Sequence, residues 1–299
     1  MMRCRDPAIP DIVAAMVAAI NADRHEFAIG VIGGATTVID YGGVRFVSDP
    51  TFDPPGSFGP YSKVEGPAVQ PDQLGAVDVV LLSHDLHMDN FDYAGRDFAA
   101  AAALVLTGGQ AAGRLGGNAH GLAPYESTVV QSTTGGAAVT VFAVPAQHGP
   151  SDGERDEHGN INTEVTGFVL RSPELPTVYL SGDNASLAPV IEIGTRFPDI
   201  SVGVLHIGAA RVPAKFSGRP LTLTSDRASD VAVMLGLSVV IPAHCQGWSL
   251  YSEGPENIRK SFADAGIGHC LRSGEPGIWS YIGGPDADRY TPTDARGSV

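Results

Sequence analysis

Three cysteines in 299 residues, Cys4, Cys245 and Cys270, with no CxxC pair, leave neither a disulfide framework nor a cysteine-rich zinc site to build on. Sparse and odd in number, they point to a reducing compartment, and the cytoplasm is the expected location. Basic residues are also scarce. Against 33 Asp and Glu stand 19 Lys and Arg, a net charge of −14, with no basic stripe to follow a phosphate backbone or an anionic lipid surface. Nucleic acid and membrane are therefore not expected partners. Long apolar runs are missing as well: Phe98–Thr107 is too short to span a bilayer, and the first 25 residues lack the small-residue cleavage pattern of an exported chain. No G-x-S-x-G elbow is present, so a serine nucleophile has no support.

What the chain does have is a globular composition, 43% hydrophobic and 17% charged, enough for a sizeable core. A helix is read over residues 1–25. The β-rich runs Phe27–Ile32, Thr36–Tyr41 and Val44–Ser48, parted by Gly33-Gly34 and Gly42-Gly43, read as a meander. Residues 49–75, rich in Pro and Gly, read as a long loop over one face. A buried strand at 77–82 leads into a polar loop and a helix over 91–102. Strands at 104–107, 127–130 and 138–144 and a helix at 108–115 follow. The second half repeats the grammar: strands at 167–170, 177–180, 202–206 and 239–242, helices at 186–197 and 224–236, and a hydrophilic tip at 149–160. Alternating strands and helices, each half opening with antiparallel β, predict an α/β fold. Its architecture is a four-layer αββα sandwich of two mixed sheets flanked by helices, in one domain over residues 26–285 with a tail at 286–299.

Directly behind the apolar run 77–82 stands Ser-His-Asp-Leu-His-Met-Asp-Asn-Phe-Asp, residues 83–92. A deep strand has little use for imidazole and carboxylate at its exit, whereas a hydrolytic metal ion needs neutral imidazoles and an ionised Asp aimed from such a loop. Four more polar punctuations close apolar strands: Gln147-His148, Ser181-Gly182-Asp183, His206 and His244. Strand ends on one edge of a layered α/β protein converge on a common crevice, so His84, His87, Asp89, His148, Asp183, His206 and His244 can meet in space. Singly, a histidine at a strand end is more often a hydrogen-bonded structural residue than a ligand.

The ordered series Gly34 to Asp40, Ser48-Asp49-Pro50, Ser83 to Asp92, His148, Ser181-Gly182-Asp183 and Pro242-Ala243-His244 resembles the metallo-β-lactamase superfamily. Within it, the likeness is to metal-dependent hydrolases similar to L-ascorbate-6-phosphate lactonase, over residues 27–275. The superfamily signature is His-x-His-x-Asp-His. The resemblance places His84 as its first ligand, His87 as its second with one residue inserted between them, and His148 as the third on one ion. It places Asp89 on the motif's Asp, Asp183 on the bridging Asp and His244 on the final His of a second ion. Asn90 falls where the signature has His and offers only a neutral carbonyl. A weak or empty second site follows, or one suited to a harder ion such as Mn.

The implied cofactor is one or two divalent ions, Zn or Mn. The implied activity is cleavage of a small-molecule lactone, ester or related bond by a metal-bound hydroxide, with Asp89 and Asp183 orienting the water and taking its proton. A phosphodiesterase of the same fold, or a non-catalytic ligand-binding protein with a degraded site, are the alternatives; Asn90 favours the last. In related lactonases the loop that here carries His206 and Arg211 shapes the substrate pocket, so the pair is read as anion recognition, or His206 as an oxyanion donor, against ordinary packing. Asp49 is either a partner steadying a ligand imidazole beside the substrate or a plain Asp-Pro turn. Trp248 with Tyr251 forms a pocket wall or simple core. Lys215, with Thr222 and Thr224, marks an anion site or a helix cap. Cys245 reads as a buried neighbour of His244. A small-molecule substrate is the expected partner, with a homo-oligomer left open.

Overall fold

The structure, a computed structural model, describes residues 19–132, 134–156 and 158–283. Most of the helix expected over 1–25 and the tail at 286–299 lie outside the described residues; residues 19–26 contain no helix, and Ala19 bridges Ile278.

Period-two alternation builds the first sheet. In β1 (Phe27–Gly33), Phe27, Ile29 and Val31 face one core while Ala28 and Ile32 face another. With β2 (Thr36–Tyr41) and β3 (Val44–Ser48) it forms the expected antiparallel meander. The long segment after β3 is more ordered than its composition suggests. A tight turn at Gly59-Pro60 closes a hairpin of β4 (Gly56–Phe58) and β5 (Tyr61–Lys63). From β6 (Val79–Leu81) pairing becomes parallel, with α1 (Tyr93–Ala101) leading to β7 (Val105–Gly108) and α2 (Gly109–Leu115) to β8 (Ala119–Leu122).

The second sheet repeats this plan. β9 (Ser127–Val130), β10 (Val139–Gln147), β11 (Glu164–Ser172) and β12 (Leu175–Leu180) are antiparallel neighbours. α3 (Ala188–Arg196) then returns the chain to β13 (Ile200–His206), and α4 (Ser225–Leu235) to β14 (Val239–Ala243), both parallel. α5 (Pro255–Asp264) precedes β15 (Trp279–Tyr281), which crosses back to pair with β1. The sheet orders are β15-β1-β2-β3-β6-β7-β8 and β14-β13-β12-β11-β10-β9.

One core lies between the sheets, where Ile29, Phe46 and Leu81 meet Val141, Leu170 and Val204. Another lies under α3, α4 and α5, where Val190, Val231 and Phe262 pack on Val169, Tyr179 and Leu205. The outer face of the first sheet is covered by α1 and the loops, through Phe52, Phe91 and Phe98. The four-layer expectation is met.

Strand direction sets where function collects. β10 runs antiparallel to β11 and β11 antiparallel to β12, so β10, β12, β13 and β14 point one way. Their exits are His148, Asp183, His206 and His244. In the other sheet β3 and β6 run together and exit at Asp49 and Ser83-His84. The backbone amide of Thr166 in β11 donates to the Ser83 carbonyl at 2.9 Å, so the two sheets touch at this edge.

A buried ion pair holds the hairpin over that edge. Lys63 Nζ donates to Asp92 Oδ2 at 3.0 Å and to the Thr51 carbonyl at 3.0 Å, with the two charged side chains only 3% and 0% exposed. Asp92 also caps α1 by accepting from the amide of Gly95, and accepts from those of Phe52 and Asp53. Lys63→Ala strands that carboxylate without its cation. Urea unfolding should show a loss of about 3 to 5 kcal/mol, and a loss below about 1 kcal/mol would show the pair to be solvated.

Candidate metal centre

Several strand exits that deliver the functional side chains bend sharply. Asp49 (φ 40°) and His244 (φ 57°) occupy the left-handed region that non-glycine residues rarely adopt. The His244 amide donates to the Gly34 carbonyl at 2.7 Å in the β1–β2 turn, which fixes that bend. Gly182 sits at φ 51°, where a Cβ would stand 2.9 Å from Ser83 Cβ; Gly208 passes so near His244 that a Cβ would meet its carbonyl oxygen at 2.0 Å. Side chains at these two positions would push the sheets' exits apart.

The side chains so delivered form two groups that share Asp183. In the first, His87 Nδ1 lies 3.0 Å from His84 Nε2 and 3.1 Å from His148 Nε2, while Asp183 Oδ2 lies 3.4 Å from His148 Nε2 and 3.9 Å from His84 Nε2. In the second, Asp183 Oδ1 lies 2.8 Å from His206 Nδ1 and 3.4 Å from His244 Nε2. Asp183 thus presents one oxygen to each group. His84, Asp183, His206 and His244 are no more than 2% exposed, His148 6%.

The donor set itself calls for a cation. His148 Nδ1–H donates to the Leu221 carbonyl at 2.7 Å, which leaves its Nε2 lone pair facing His87. His84 Nε2 faces the same His87 nitrogen, which has at most one proton for two neighbours 3.0 and 3.1 Å away. Burial holds all three imidazoles neutral, His84 well below its ordinary value and His87 down to about 4, helped there by His148. The two contacts therefore cannot both be full hydrogen bonds. Donors on tetrahedral zinc, with bonds of about 2.0 to 2.2 Å, stand about 3.3 to 3.6 Å apart, close to the spacing found here. The residues fit a divalent ion.

Asp89 and Asn90 close the second group from the motif side. Asp89 Oδ2 is 3.1 Å from His244 Nε2; Asn90 Nδ2 donates to Asp183 Oδ1 at 3.1 Å, and its carbonyl is 3.3 Å from His244 Nε2. A cavity of about 250 Å³ opens over His87, Asp89, His148 and Asp183, walled by Pro60, Tyr61, Val212, Leu221 and Leu250 and edged by Lys215.

Three residues expected to touch substrate do not line this cavity. Arg211 is turned outward, its guanidinium donating to Ser252 Oγ at 3.0 Å and the Gly218 carbonyl at 2.8 Å. Trp248 is buried behind Tyr61, ring centroids 5.9 Å apart, as core. Asp49 is buried too: its Oδ1 accepts from the Ser83 amide at 2.7 Å and its Oδ2 lies 3.9 Å from His206 Nε2, so it braces the centre. His206, expected both in the converging set and on a substrate loop, joins Asp183 and His244 as the first of these readings has it. Cys245 is buried, and burial pushes its thiol up to about 12. Sequence reasoning passed over Tyr61, hidden in the Pro/Gly-rich segment; of its two readings for Lys215, Thr222 and Thr224, the cap holds for Thr224, which starts α4, while Lys215 stands at the cavity.

A four-layer sandwich with imidazoles and carboxylates gathered at its strand exits defines a metallo-β-lactamase type of domain. Residues 44–245 match the beta-lactamase superfamily domain, and the chain belongs to that superfamily. It is 24% identical to a metal-dependent hydrolase of Pyrococcus abyssi over 206 residues, 69% of this chain and 83% of that one. Among solved structures, the isothiocyanate hydrolase from Delia radicum gut bacteria shares the fold with a TM-score of 0.72 at 20% identity, over 85% of this chain and 99% of that one. A possible metal-dependent hydrolase of Veillonella parvula does so with a TM-score of 0.70 at 16% identity, over 86% and 98%.

Titration of the metal-free centre gives a testable sign. Between pH 6.5 and about 4 the unfolded chain protonates His87 while the folded chain does not, so the unfolded state binds more protons and stability falls as pH drops through that window. Burial raises Asp49 from 3.8 to about 8, so between those values the folded state holds a proton that the unfolded chain has released, and this contribution weakens as pH rises. On the acid side the Asp49 and His87 contributions offset each other, but His84, His148 and His206 are also held below their ordinary value by burial, so chelator-treated protein should melt highest near pH 6.5 and lose melting temperature on both sides. His87→Gln should flatten the acid limb and Asp49→Asn the alkaline limb, each unit of displacement being worth about 1.4 kcal/mol. A melting temperature independent of pH from 5 to 8 would refute the assignment.

Proposed function

We propose that this chain is a metal-dependent hydrolase of small molecules, a lactone or related ester being the favoured substrate. The observation that carries this reading is a cation-ready cluster of His84, His87, His148 and Asp183 opening directly onto a cavity of about 250 Å³. That volume suits a small metabolite. A divalent ion held there would supply Lewis acidity and water acidic enough to react near neutral pH, so that no protein nucleophile is required. The hydrolase names carried by the Pyrococcus and Veillonella relatives support the same reaction class.

The chain's own groups divide the remaining work. Asp89, at the cavity floor, is placed to accept a proton from the attacking water and pass it to the leaving oxygen. Tyr61 stands beside it; burial and the Asp89 charge raise its phenol, so the hydroxyl stays protonated and can donate to a carbonyl oxygen gaining negative charge. The Lys215 ammonium, exposed at the cavity edge and 3.0 Å from Asn162 Oδ1, can pair with a carboxylate or phosphate on the substrate. Pro60, Val212, Leu221 and Leu250 would hold its apolar part. Buried free thiols at Cys245 and Cys270 suit a reducing cytoplasm.

A panel of lactones, carboxylic esters, phosphodiesters and isothiocyanates, assayed with Zn²⁺- and Mn²⁺-loaded protein, tests the class. Asp183→Ala should lower kcat/KM on the best substrate by about 10³-fold or more. Lys215→Met should raise KM about tenfold for an anionic substrate, with little change in kcat and none for its neutral analogue. Hydrolysis unaffected by Asp183→Ala would overturn the proposal.

A further inference from the structure

We propose that His206 replaces the histidine missing at Asn90, so that the chain keeps a second cation position built from Asp183, His206 and His244 with Asp89 beside them. This inference rests on the metal reading above and concerns its second half only.

The position left by the motif is filled by an amide that cannot act as the missing ligand did. Asn90 Nδ2 donates to Asp183 Oδ1, so the amide is oriented by the very oxygen the second group uses, and its carbonyl is a neutral donor. An imidazole reaches the same place from the opposite sheet. His206, the last residue of β13, sets Nδ1 2.8 Å from Asp183 Oδ1. Its ring lies parallel to that of His244, 4° between planes and 5.0 Å between centroids, so both imidazoles flank Asp183 from neighbouring strands. His206 is 2% exposed and His244 fully buried.

The surroundings of His206 differ from those of a lone structural histidine. Two acid side chains stand by one ring: Asp183 Oδ1 2.8 Å from Nδ1, within hydrogen-bond reach, and Asp49 Oδ2 3.9 Å from Nε2, beyond it. A neutral imidazole carries one proton, and with that proton on Nε2 the Nδ1 lone pair is left for an ion beside Asp183. On the motif side Asp89 Oδ2, 3.1 Å from His244 Nε2, adds negative charge. Beside it, His244 Nδ1 has no hydrogen-bond partner among the described residues, so Nε2 is this ring's only engaged nitrogen. Substituting an imidazole from β13 for one from the motif keeps the count of nitrogen and oxygen donors around Asp183 while changing which segment supplies them.

The test counts ions. Protein stripped with chelator and reloaded with Zn²⁺ or Co²⁺ alone is measured by elemental analysis and calorimetric titration, with the Co²⁺ absorption spectrum reporting coordination. Wild type should take up two ions per chain, and His206→Ala and His206→Gln one, with circular dichroism unchanged. The transplant Asn90→His in the His206→Gln background should restore the second ion, a recovery that a merely structural His206 would not allow. Two ions in both His206 variants, or one ion in wild type, would overturn this proposal while leaving a metal-dependent hydrolase intact. No ion in wild type would overturn both. Should the His206 variants fail to fold, wild-type stoichiometry and the change in Co²⁺ spectrum on Asn90→His alone still decide: a single ion overturns the proposal, and two ions with an altered second site support it.

Discussion

A carboxylate at the bottom of a protein needs company, and here one buried acid organises the molecule. Asp183 is 1% exposed and surrounded by imidazoles from four other strand exits, two on each oxygen. Burial alone would protonate it, yet His244, His206, His148 and His84 together hold it well below the ordinary carboxylate range. Those contacts require β6, β10, β12, β13 and β14 to end at one edge, which the two parallel crossovers of the second sheet and the β3–β6 pairing of the first provide. The sandwich is in this sense an apparatus for bringing imidazoles to one anion.

That convergence has a cost, visible at the exits. Asp49, Ala209 and His244 all take left-handed backbone conformations beside the centre, each worth on the order of 1 to 3 kcal/mol. The compensation is cohesive packing away from the edge, in the inter-sheet layer and beneath α3, α4 and α5. Strain is thus confined to where chemistry needs particular directions, and regular alternation serves elsewhere.

Much of this was legible in the residues. The meander, the strands of the second half and α4 declare themselves because glycine pairs and period-two or helical spacing coincide there, and polar residues capping apolar strands announce the centre. What stayed hidden has physical causes. β8 and β15 are four and three residues long, too short for a periodic signal, and depend on neighbours already in place. α5 buries only Ile258 and Phe262, so its pattern is faint. The β4–β5 hairpin lies in a Pro/Gly-rich stretch and owes its position to the distant Lys63–Asp92 contact, which concealed Tyr61. Arg211 and Trp248 lie near the centre in sequence but face elsewhere, since a loop's direction is set by tertiary hydrogen bonds such as that of Arg211 to Gly218.

The candidate donors are split between the two sheets, His84, His87 and Asp89 from the β6 exit and His148, Asp183, His206 and His244 from β10, β12, β13 and β14. An ion seated among them would act as a rivet through the seam of the sandwich. Loading it would then serve the fold as well as the chemistry, because a cation held only by the closed seam adds its binding free energy to the folded state.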